Sequence, residues 1–69
     1  MATLMEKDVL IECISNILGK TAYSIDSNDV NRKLLIDMRS RLYETEASKI
    51  DYESELLFIN DKANNLLEK

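Results

Sequence analysis

From Asn28 to Lys69 the chain contains neither glycine nor proline, and its apolar residues advance in alternate steps of three and four. Counting from Leu35, the positions reached are Leu35, Met38, Leu42, Thr45, Lys49, Tyr52, Leu56, Ile59, Ala63 and Leu66. Eight of these ten are apolar or aromatic, which is the spacing of a helix seam. No backbone chemistry forbids helix anywhere in the stretch. The fold class this predicts is all-α: a small antiparallel bundle of two to three helices, or one long C-terminal helix, completed by dimerisation.

Length sharpens the expectation of a partner. A chain of 69 residues forms one domain and buries only about 60% of its unfolded surface, so a solitary core is marginal. Cys13 is the only cysteine and histidine is absent, which removes an internal disulfide and the usual structural zinc sites. Self-association or a protein partner is what remains. The net charge of −4 argues against bulk binding to nucleic acid or an anionic membrane. The opening residues Met1 to Asp8 do not read as a signal peptide, because acids interrupt both its basic and its apolar parts. No apolar run approaches ~20 residues, so no membrane span is expected. With a free thiol and no secretion signal, the expected compartment is the cytoplasm.

Residues 3–18 read as the first helix. Thr3 and Glu6 form a capping-box pattern. Leu4, Ile11 and Leu18 repeat every seven, flanked by Leu10, Ile14 and Ile17. Gly19 follows the last apolar residue, where a left-handed terminating residue is expected. Residues 19–27 read as a loop, with Asp26 or Ser27 capping the next helix and Ala22, Tyr23 and Ile25 folding back over the core. A second helix is expected over 28–44, a possible bend at 45–48, and a third helix over 49–67 with Ser48 and Asp51 as a new capping box. The rival to that bend is one helix of ~40 residues, roughly 60 Å long. Such a length is rare in so small a chain, so the bend is favoured.

Charge bears on orientation. Arg39 and Arg41 flank the first half of the seam, and Glu46, Glu53 and Glu55 the second. Folding back near residue 47 brings the arginines beside Glu53 and Glu55. Each exposed pair contributes only a few tenths of a kcal/mol, so charge selects orientation without holding the fold.

Catalytic and ligand motifs fail on inspection. Gly19-Lys20-Thr21 resembles the end of a phosphate-binding loop, yet Ile14 stands where its first glycine belongs and a helix precedes it. Asp26, Asn28 and Asp37 fit three places of a calcium loop, but Asn31 occupies the obligatory glycine position. Cys13 has no histidine to activate it. The carboxylates are spread over solvated helix faces. Neither an enzyme, a cofactor, a metal nor a small-molecule substrate is expected. Arg32, Lys33, Arg39 and Arg41 form the only basic group, and they carry the rival reading of a small transcriptional regulator on DNA. A further rival is a subunit of a helical structural assembly.

The informative feature is a second apolar column, Ile36, Tyr43, Ile50 and Leu57, separated from the main seam by charged residues. The expected partner-binding residues are Ile36, Tyr43, Ile50, Tyr52, Leu57 and Phe58, with Arg39, Arg41, Glu53 and Glu55 setting orientation. The layout resembles that of several small bacterial or phage groups, namely secretion co-chaperones, regulatory connectors and phage-encoded inhibitors. No motif residue ties the chain to one of them. The expected function is non-enzymatic protein binding as an adaptor, co-chaperone or inhibitor, as a homodimer or a heterodimer with a larger protein.

Overall fold

The computed structural model describes residues 2–26 and 28–67. It is all-helical, with α1 over Leu4–Lys20, α2 over Val30–Glu44 and α3 over Tyr52–Leu67, and a 3-10 turn at Ala47–Lys49 between the last two. No strand occurs among the described residues.

Each helix starts on a side-chain cap. At α1 the Thr3 hydroxyl accepts from the Glu6 N–H at 3.1 Å, and Glu6 Oε1 accepts from the Thr3 N–H at 2.9 Å, so two unpaired amides are satisfied reciprocally. At α2 the cap is Asp29, whose carboxylate accepts from the Asn31 N–H at 2.9 Å. Asp26, expected to take that role, instead accepts from the Asn28 N–H at 2.8 Å within the preceding loop, and Ser27 lies outside the described residues. At α3 Asp51 accepts from the Ser54 N–H at 3.3 Å. Ser48 sits inside the 3-10 turn, too early to act as that cap.

The end of α1 differs from expectation. The helix runs through Gly19 to Lys20, and no described glycine has a positive φ. Thr21 terminates it: its N–H donates to the Ile17 carbonyl at 3.1 Å and its hydroxyl donates to the same carbonyl at 2.9 Å. Arg32 on α2 completes the closure, with Nη1 donating to the Leu18 carbonyl at 3.0 Å and to Thr21 Oγ1. Cations are favoured at the negative end of a helix, so a left-handed glycine is not needed. Of the three loop residues expected to fold back, only Ile25 packs on the core; Ala22 is exposed and Tyr23 stands fully in solvent.

The bend between α2 and α3 occupies residues 45–51. Thr45, Glu46 and Ile50 are extended, with ψ of 134°, 139° and 130°. The Thr45 hydroxyl donates to the Arg41 carbonyl at 2.7 Å, a back-bond that satisfies one of the last free carbonyls. Lys7 on α1 donates to the Thr45 carbonyl at 2.7 Å, and the Ala2 N–H donates to the Ile50 carbonyl at 3.0 Å. Buried Ala47 and Ile50 anchor the segment from inside. The longest dimension of the molecule is therefore 34 Å, far short of the roughly 60 Å of an uninterrupted helix.

The core is assembled from all three helices: Leu10, Ile11, Ile14 and Leu18 of α1, Leu35, Met38 and Leu42 of α2, and Ile59 and Leu66 of α3. Cys13, Ile17, Tyr52 and Leu56 pack against its edge. Burying each large aliphatic side chain contributes about 1.5–3 kcal/mol. The radius of gyration of 11.8 Å is close to the ~11 Å of a compact chain this long.

Arg32 is nine-tenths buried, and its Nε has no hydrogen-bond partner. Its value to the fold therefore rests on the two bonds that close α1. Arg32→Met is expected to lower stability by about 1–3 kcal/mol by leaving the Leu18 carbonyl with only the long 3.4 Å bond from the Thr21 hydroxyl. A circular-dichroism melt should show a fall of about 4–8 °C for each kcal/mol lost.

Candidate partner-binding surface

The break at 45–51 decides where the expected binding residues go. A column repeating every seven holds only while one helix continues. Ile36 and Tyr43 remain seven apart on α2, but Ile50 leaves the column: it is 4% exposed, in extended backbone, and belongs to the core. Leu57 falls on the side of α3 turned away from Ile59 and is 71% exposed. Tyr52 is half-buried against the core. Phe58 is exposed, with the Lys62 ammonium 5.2 Å from its ring centre, a cation–π contact contributing about 0.5–1 kcal/mol at the surface.

Hydrogen bonds fix which flank of α2 meets which neighbour. Arg39 donates to the Ser15 hydroxyl at 3.1 Å, so its flank faces α1. Ile36 and Tyr43, three residues before and four after it, share that flank, and Tyr43 is 65% exposed there. Arg41 pairs with Glu55 at 2.9 Å, so the opposite flank faces α3. Leu34, seven residues before Arg41, and Phe58, three after Glu55, border this second seam, both part-exposed.

Of the four orientation-setting charges, Arg41 and Glu55 come together. Arg39 is committed to Ser15, and Glu53 forms no ion pair among the described residues. The basic group is likewise divided. Arg32 is buried at the end of α1, Arg39 and Arg41 each make a bond within the chain, and the Lys33 side chain alone is exposed without an internal bond among the described residues.

Several exposed apolar residues had no signal in the main seam. Leu4 belongs to the heptad of α1 yet is exposed. Met5, Val9 and Val30 are also exposed, and their positions outside the seven-residue repeats were the available clue. Among the described residues there is no pocket and no grouping of metal-ligating side chains. No described helix is long and apolar enough to cross a membrane.

Comparison with known proteins adds no relative: no family model matches the chain, and searches of curated proteins and solved structures return no significant match.

Two substitutions separate surface from core. Ile50→Ala should cost about 2–5 kcal/mol in urea unfolding, whereas Tyr43→Ser should shift stability by no more than about 0.5 kcal/mol. For Arg41 and Glu55, whose side chains are 61% and 19% exposed, a double-mutant cycle should give a coupling of about 0.2–1 kcal/mol that shrinks with added salt.

Proposed function

We propose that this chain is a small, non-enzymatic, cytoplasmic protein-binding module, an antiparallel three-helix bundle whose remaining apolar surface is covered by another protein chain. In mechanism it is an adaptor, co-chaperone or stoichiometric inhibitor. One observation carries the reading. Among the described residues, eleven large apolar side chains stand exposed although the helices already close a core. Single exposed apolar residues are ordinary. Here Ile36 and Tyr43 lie two turns apart on one flank, the spacing by which one helix face takes another, and aromatic residues such as Tyr43 and Phe58 are the usual anchors of an interface.

The division of the basic group supports protein binding over the DNA reading. Salt-dependent affinity for a duplex needs several cations grouped to meet phosphates; Arg32 is buried, and Arg39 and Arg41 point to opposite flanks of α2, bonded to Ser15 and Glu55.

Photocross-linking in cells tests the proposal. A photoreactive phenylalanine analogue at Tyr43 is expected to give one discrete heavier adduct, and the same group at exposed Asp61 none. Tyr43→Ser is expected to suppress the adduct formed from a photoreactive group at Ile36. Equal labelling at Tyr43 and Asp61, or none at either, rejects the reading.

A further inference from the structure

We infer that the chain covering the outward face of α2 is a second copy of this protein, laid against it in the opposite direction about a two-fold axis near residue 39. The inference rests on the protein-binding reading above and names its partner.

Three charges along α2 have no partner within the described chain. Lys33, Asp37 and Glu44 are all exposed on α2, and none of them makes an ion pair or side-chain hydrogen bond within the described chain. In a two-fold contact, if one residue meets a second residue of the copy, that second residue meets the first in return. Two α2 helices running in opposite directions can then set each of these three charges against an opposite one in a single register. To within a residue, that register sets Lys33 against the partner's Glu44, Asp37 against the partner's Arg41, which holds Glu55 through Nη2 and is still 61% exposed, and Ile36 against the partner's Tyr43. Each pairing occurs twice by symmetry. Ser40 lies close to the axis, where a small side chain lets the helices approach.

The alternatives conflict. Parallel pairing in register sets Lys33, Asp37 and Glu44 each against itself. Sliding the opposed helices by about one turn sets Lys33 against Arg41 in one direction, and Asp37 against Glu44 in the other. Like charges face to face penalise each of these arrangements. The α2 face is thus complementary to itself in one orientation and one register. A contact centred on one helix about 22 Å long is smaller than the roughly 800 Å² per partner of a standard complex, so the dimer belongs to the weak, salt-sensitive class.

Charge reversal tests both partner and orientation. Sedimentation is run on the wild type, Lys33→Glu, Glu44→Lys and an equal mixture of the two variants, at up to about 1 mM, a range that reports weak association. Circular dichroism confirms that each variant is folded. The wild type is expected to show a monomer–dimer equilibrium. Each variant alone should associate about tenfold more weakly or worse, since both symmetric pairs become repulsive. The mixture should recover near wild-type association, because the reversed charges then meet each other. Tyr43→Ser, which removes the apolar pairing and leaves charge unchanged, should weaken association as well. Variants that associate like the wild type, a mixture no better than its components, or an unaffected Tyr43→Ser each overturn the inference. So does a strictly monomeric wild type. In that last case an adduct from Tyr43 whose mass is not twice that of the chain leaves the protein-binding reading standing, and the absence of any adduct removes both.

Discussion

Two cations, each carried near the start of one helix, close the end of another. Arg32 of α2 bonds the last turn of α1, and Lys7 of α1 bonds the carbonyl just past α2. A helix end leaves four carbonyls without intrahelical partners and concentrates partial negative charge there. A chain this short has little spare backbone with which to wrap those ends. Supplying the missing donors from a neighbouring helix satisfies the carbonyls and sets how far each helix slides along the other. The apolar contacts of Leu10, Ile14, Leu35 and Leu42 are non-directional; the two polar clasps give them a register.

That register determines what is left outside. With α1 and α2 locked end to end, Ile36 and Tyr43 stay on a flank that α1 only partly covers. The arginines nearest this flank are consumed in holding it together. What faces solvent along α2 is then a short pattern of unengaged opposite charges with apolar residues beside them. An interaction surface arises here as the remainder after internal demands are met.

Much of this was legible from the residues. The seam positions Leu35, Met38, Leu42, Ile59 and Leu66 are all buried, since periodicity reports the core side of a helix directly. The capping box at Thr3 was equally local. The misread features are those decided by distant parts of the chain. Gly19 was expected to end α1, but the terminating interactions come from Thr21 and from Arg32 on another helix. Ile50 fits a seven-residue column only if the helix is continuous, and the bend removed it to the core. Arg39 lies beside the seam as the glutamates do, but its partner is Ser15 on α1, whose packing no periodicity specifies.

The bend itself contains no residue that prohibits helix. Residues 45–51 include neither glycine nor proline, and they turn because Ala47 and Ile50 reach the interior while Lys7 and Ala2 hold the carbonyls of Thr45 and Ile50. Local preference and tertiary packing therefore pull in different directions at this one place. In a solvent such as trifluoroethanol, which rewards backbone helicity and dissolves side-chain packing, nothing intrinsic to the segment resists straightening. The corner is a property of the assembled molecule, and the same residues taken out of it are a stretch of rod.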